Sequence, residues 1–360
     1  MSLAATLRAL PKVELHRHLE GALRIETLWE FHEAAGARVH ASREALRRAL
    51  VVDAAAPPDF RAYLARFAAL RFRYGGPEAL ERIGREAVAD AAGEGVAHLE
   101  LRLAPLFWAA RLREQPPVAN LAQLPLPPLE DLELACEALA RGADAEAARR
   151  GLSLAFILCL NRQLAPEANV LQADLLGRPA GAAFAAVDVC GDEAVPLEAV
   201  GAALARGLRA RPATLHAGED PAARGAANVR EAVERFGARR IGHGVRAVED
   251  PAVLELLRAK TATLEVCPTS NIQTAAAPSF EAHPLRALVE AGVRVTLNTD
   301  NPTLSAVTLT DEYLRAHERC GLTRAQLREV AVASAEAAFL PDAPRRVLVA
   351  RVAAAWAKFV

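Results

Sequence analysis

Residues 12–21 read KVELHRHLEG, an apolar, β-type run that ends in two histidines one residue apart. In an extended strand successive side chains point to opposite faces, so His16, His18 and Glu20 share one side while Leu15, Arg17 and Leu19 take the other. Two imidazoles on one face of a rigid strand can each turn a nitrogen toward one ion. Zinc takes such ligands and keeps a position for water in catalytic sites. Alone the pair reads equally well as exposed strand, and its meaning depends on what the rest of the chain brings to it.

Seven more strand candidates follow: VAHLELRL from Val96, LSLAFILCL from Leu152, AAFAAVDVC from Ala182, ATLHAGE from Ala213, RRIGHG from Arg239, TATLEVCP from Thr261 and VRVTLNTD from Val293. Segments of helical spacing lie between them, at 129–150, 196–209, 228–236, 251–258 and 284–291. Strands alternating with helices imply a parallel sheet, and eight of them most simply close into a (β/α)8 barrel. A doubly wound open sheet is the second choice. Helical patterns at 24–36, 43–50, 58–72 and 77–92 form a long excursion after the first strand, a lid or wall over a site. Residues 114–128 read as a surface loop, and the chain beyond Asp300 as helices packed outside the barrel. The expected organisation is one barrel domain over residues 1–360.

A chain of 360 residues, 52% hydrophobic, can bury a large core. Its 43 basic and 44 acidic residues give a net charge of -1, no footprint for nucleic acid or an anionic membrane, so the expected partner is a small molecule. Five dispersed cysteines without a Cys-x-x-Cys pair suggest neither a thiolate zinc ribbon nor a disulfide framework. With no signal-peptide core and no apolar run long enough to span a bilayer, the expectation is a soluble, cytoplasmic protein.

Barrel enzymes build their sites from the C-terminal ends of strands. Those ends carry His16, His18 and Glu20 on the first strand, His216 and then Glu219 on the fifth, His243 on the sixth, and Asp300 and Asn301 on the eighth. His32, His40, His98, His283 and His317 lie elsewhere and read as surface or satisfied core histidines. The three lysines, Lys12, Lys260 and Lys358, all miss the strand ends, so no modified lysine can bridge two ions. One zinc ion held by His16, His18, His216 and Asp300 is the consistent reading. Zinc lowers the pKa of bound water to roughly 7. His243 and Asp300 would take or orient its proton, and Glu219, held protonated, would donate to the substrate. These are parts for adding hydroxide to an electrophilic carbon while protonating its neighbour.

In order along the chain, PKVELHRHLEG, GDE at Gly191, HAGE at His216, RIGHG at Arg240, LEVCPTSN at Leu264 and LNTDNP at Leu297 resemble the adenosine deaminase family of zinc aminohydrolases. The resemblance implies hydrolytic removal of a purine 6-amino group, adenosine to inosine. It implies His16, His18, His216 and Asp300 as metal ligands, Glu219 as the donor to N1, and His243 as the group that orients or deprotonates the hydroxide. His18, Glu20, Gly191 and Asn301 become the substrate-facing set, with the Gly191 backbone at purine N3 and Asn301 at N7. Two departures stand out. Many relatives carry Asp at the position of Asn301, and adenosine-specific ones carry Asp, against the ribose 5′ hydroxyl, where this chain has Glu20. A 6-aminopurine with another 5′ or N9 substituent, such as 6-aminodeoxyfutalosine or free adenine, is therefore the close alternative. Arg71 and Arg73 in the helical insertion are candidates for an anionic substituent. A mononuclear hydrolase of another small substrate is a more distant possibility, and a non-catalytic binding protein the last.

Overall fold

A computed structural model describes residues 2–113 and 125–359; the candidate loop at 114–128 falls largely outside them. Eight strands form in the expected places: β1 Lys12–His18, β2 Val96–Leu103, β3 Ser153–Asn161, β4 Phe184–Cys190, β5 Thr214–Ala217, β6 Arg240–His243, β7 Thr263–Val266 and β8 Arg294–Leu297. They pair in parallel and in chain order as two four-stranded sheets, β1 to β4 and β5 to β8. Sequential order around the sheet, with no reversal of direction, is the barrel arrangement and not the doubly wound one.

The two seams are joined by single parallel bridges, Val187 with Ala213 and Arg17 with Asp300. At the second seam side chains replace part of the ladder. The Leu15 N–H donates to Asn298 Oδ1 at 2.9 Å and the Thr299 N–H to Glu14 Oε1 at 3.1 Å, while Arg17 reaches Glu14 at 2.9 Å. The strand that carries the histidine pair is thus sewn to the strand that leads to Asp300.

Between β1 and β2 the chain forms helices Ile25–Ala34, Arg43–Leu50, Phe60–Ala65 and Pro77–Gly93. The single helix expected at 58–72 starts later, because Asp59 caps it by accepting from the Ala62 N–H, and tightens into a 3-10 turn at Arg66–Leu70. Helices Leu3–Ala9 and Pro166–Asp174 were not legible in the sequence. The first is closed by Lys12, whose buried ammonium donates to the carbonyls of Leu7, Arg8 and Leu10. Beyond Asp300 helices Pro302–Ser305, Leu309–Glu318, Arg324–Ala337 and Asp342–Trp356 complete the chain. Among the described residues no helix is long and apolar enough to cross a membrane.

Helices Pro77–Gly93 and Leu129–Arg150 cross so closely that a Cβ on Gly142 would overlap the Glu81 carbonyl, and one on Gly84 the Leu139 carbonyl. Backbone cannot step aside as a flexible side chain can. Gly142→Ala should lower the unfolding free energy by about 1–3 kcal/mol. Gly93→Ala, at a position open to space, should not. Chemical denaturation of the two variants checks this.

Candidate metal centre and active site

Each barrel strand turns some residues inward, and several of those inward residues are charged. Arg102 on β2, Asp188 on β4 and Glu265 on β7 are fully buried. Arg102 donates through Nε to Asp188 Oδ2 at 2.7 Å and through its terminal nitrogens to Glu265 and to the Leu15 carbonyl. Burial alone would raise the pKa of both acids. The charges of His216 and Arg102 around Asp188, and of Arg102 and Arg240 around Glu265, hold them below the usual carboxylate range. Each carboxylate then accepts from one imidazole: Glu265 from His16 Nδ1 at 2.9 Å and Asp188 from His216 Nδ1 at 3.0 Å. With Nδ1 engaged, both rings present Nε2 to the barrel mouth.

Those nitrogens meet at one point. His18 Nε2 lies 3.2 Å from His216 Nε2, and Asp300 Oδ1 lies 3.4 Å from His16 Nε2 and 3.6 Å from His18 Nε2. The second Asp300 oxygen accepts from Ser270 Oγ at 2.7 Å, which fixes the carboxylate plane. Two overlapping groups, His16 with His18 and His216, and His16 with His243 and Asp300, each bring their ligand atoms within 4.8 Å of one another. His16 Nε2 is buried, and its nearest acceptor, Asp300 Oδ1 at 3.4 Å, is not aligned for a full hydrogen bond. A buried nitrogen without a hydrogen bond costs free energy that a cation would recover. Burial and the Arg102 charge press the His16 pKa down, yet hydrogen bonds to Asp300 and Glu265 hold it above its ordinary value. Burial keeps His18 and His243 neutral, the state in which imidazole binds metal. Three imidazoles and one carboxylate are a donor set suited to zinc.

Above this point stand Glu219 and His243. The turn after β5 is held by Glu193, whose carboxylate accepts from the backbone N–H groups of Gly218 at 2.8 Å, Glu219 at 2.7 Å and Asp220 at 3.4 Å. The Glu219 carboxyl so placed lies 3.3 Å from His243 Nε2. Burial first, then the nearby charges of Asp300 and Glu193, raise its pKa well above the ordinary value, so it holds a proton. On the far side of the His243 ring, Asn271 Nδ2 donates to Nδ1 at 3.0 Å and His283 backs Asn271. His243 and Asp300 both adopt φ of 59°, left-handed backbone that costs free energy in residues with a Cβ. Both leave their strands at a sharp angle into the mouth.

A cavity of about 610 Å³ opens over these groups, and His18, Glu20, Gly191, His216, Glu219 and Asn301 line it. Glu20 belongs to a 3-10 turn after the strand, not to the strand itself; its Oε1 accepts from the Ala104 N–H at 2.8 Å, and burial raises its pKa to about 7. Asn301 Oδ1 is buried and without a partner, and a Cβ on Gly21 would collide with it. Gly191 has φ of 96°. Arg71 and Arg73 also reach the cavity, whose apolar wall comes from the insertion through Tyr63, Leu64, Phe67 and Phe72.

The other histidines find partners away from this point: His32 with the His40 N–H, His40 with the Ala69 carbonyl, His98 with Ser153 and Glu100, His317 with the Leu322 carbonyl. Sequence reasoning missed Arg102, Asp188, Glu193, Glu265 and Asn271. A signal existed for three of them, because a charged residue inside a run apolar on both sides, as in LELRL, AVDVC and TLEVC, points into a barrel whose outer face is covered.

The adenosine deaminase family model matches residues 11–355. The adenosine deaminase of Aliivibrio fischeri is 32% identical over 347 residues, 95% of this chain and 97% of its own. Among solved structures, a zinc-bound amidohydrolase from Burkholderia ambifaria superposes with a TM-score of 0.84 at 26% identity, over 99% of this chain and 94% of its own. An adenine deaminase from Arthrobacter aurescens shares the fold, with a TM-score of 0.82 at 24% identity over 97% of this chain and 100% of its own.

Asp188→Asn should weaken zinc binding by about 10–100-fold, since the amide no longer holds His216 in its metal-binding tautomer. Competition with a chelator checks this, with unchanged circular dichroism as the control.

Proposed function

We propose that this chain, which belongs to the adenosine deaminase family, hydrolyses the 6-amino group of adenosine and 2′-deoxyadenosine. The products would be inosine or 2′-deoxyinosine and ammonia, and one zinc ion per chain would be required. The observation that carries this reading is the meeting of three imidazole nitrogens and one carboxylate beneath a buried, protonated Glu219. His16, His18, His216 and Asp300 would hold the ion. Once bound, zinc supplies Lewis-acid activation of water.

The rest of the chemistry falls to the chain. Asn301 and the Gly191 backbone orient the purine through N7 and N3. Asn301 brings an oxygen with no other partner, and the amide of the same side chain can donate to N7 without needing a proton. Glu219 gives its proton to N1 as oxygen adds to C6, so the ring carries no uncompensated charge. His243, its Nδ1 occupied by Asn271 and its Nε2 toward Glu219, accepts the proton that water loses and gives it to the amine as the C6–N bond breaks, while the C6 hydroxyl proton passes back to Glu219 and leaves the carbonyl of the product. The apolar wall of the insertion limits water to the molecule that reacts.

The second reading keeps the chemistry and changes the substituent on the sugar. It is favoured by Glu20, a carboxylate one methylene longer than the aspartate of adenosine-specific relatives. Five unpaired cysteines support a cytoplasmic location.

Glu219→Gln should leave zinc content intact and cut turnover on adenosine by about 10²–10⁴-fold, read as ammonia release beside metal analysis. Near-normal turnover would remove Glu219 from the donor role. Glu20→Asp should raise kcat/KM for adenosine over that of the parent chain; an unchanged ranking of substrates would count against a sugar-side role for this position.

A further inference from the structure

Away from the metal centre the cavity wall is strongly basic, with Arg71, Arg73, Arg111 and Arg113 all reaching it. Arg113 is neutralised by Asp131 at 2.7 Å. Arg111 is not neutralised. It is 5% exposed, its Nε donates to the Leu70 carbonyl at 2.9 Å, and its guanidinium lies 4.1 Å from the centroid of the Phe107 ring. Among the described residues no carboxylate stands within ion-pairing distance of it.

A guanidinium stays ionised even when buried, and a buried cation without an anion is expensive unless something supplies the charge. The segment bearing Arg71 and Arg73 runs beside it, because the Tyr74 N–H donates to the Arg111 carbonyl at 2.9 Å. Arg73 is exposed at the rim. Glu20 is close enough for its charge to be felt by Arg111, but its Oε1 is taken by the Ala104 N–H. Arg111 therefore belongs to the Glu20 end of the cavity, the end assigned above to the sugar.

We propose that Arg111, assisted by Arg73, forms a subsite for an anionic group, carboxylate or phosphate, carried on the sugar of a 6-aminopurine nucleoside. The proposal rests on the deaminase reading and narrows its substrate class. A planar fork over an aromatic ring, hydrogen-bonded to Tyr74 but with no carboxylate on its terminal nitrogens, is a ready partner for an anionic oxygen. Adenosine would fill the purine end and leave this charge unanswered.

The test compares kcat/KM of the zinc-loaded chain for adenosine, adenosine 5′-monophosphate and adenosine-5′-carboxylic acid. Calorimetric binding of the three corresponding inosine compounds is measured alongside. At least one anionic substrate should exceed adenosine by about tenfold, and which one gains separates phosphate from carboxylate. Arg111→Gln should lower the ratio of anionic to neutral kcat/KM by about 10–100-fold, the worth of one charge-assisted contact. Arg111→Lys should restore part of it. Arg73→Gln, at an exposed site with no folding risk, should lower the same ratio about threefold. Adenosine equal to or better than both anions, with ratios unmoved by the variants, overturns the subsite. If no compound is deaminated but the anionic inosines still bind more tightly through Arg111, the deaminase reading falls and the subsite stands.

Discussion

The direction in which two imidazoles point depends on a salt bridge that water never reaches. Arg102 ties Asp188 to Glu265 across the barrel interior, and each acid fixes one ring, His216 and His16. Arg240 joins the same lattice, bonded to both Glu265 and Glu100. Two arginines thus face three carboxylates, Glu100, Asp188 and Glu265. Buried ion pairs contribute little net stability, but they specify geometry, and here the geometry specified is a coordination site.

Above that lattice, position is set by backbone. Glu193 gathers three consecutive N–H groups of the turn after β5 and so aims Glu219. His243 and Asp300 occupy left-handed conformations that only a tightly constrained surrounding can hold. The same constraint accounts for the seam between β8 and β1, where the Asp300 N–H donates to the His16 carbonyl and the His18 N–H to the Asp300 carbonyl. One kinked residue bridges this seam and presents a carboxylate at the mouth of the barrel.

The eight strands were readable because parallel strands buried on both faces appear as short apolar runs punctuated by turns. His16, His18, His216, Glu219, His243, Asp300 and Asn301 were readable because each stands at the end of such a run. The supporting groups were not, since nothing local tells that Arg102 will meet Asp188, 86 positions away, and Glu265, 163 positions away. Arg111 escaped notice for a related reason. It follows a five-residue helix, Pro105–Ala109, that local propensity does not announce, and only the fold reveals that its charge is buried without an answering acid. Helix Leu3–Ala9 was hidden because its C-terminal carbonyls are satisfied by a lysine that read as the start of a strand.

The candidate metal ligands and the arginine-bearing wall of the cavity occupy separate pieces of polypeptide. His16, His18, His216, His243 and Asp300 sit at strand ends braced by the barrel interior, whereas much of the enclosing wall comes from one connection, the helices between β1 and β2, and from the short helix after β2. Changes to that wall leave the charge lattice untouched. A lineage could therefore exchange wall arginines for neutral residues, or the reverse, without disturbing the buried carboxylates that hold the imidazoles.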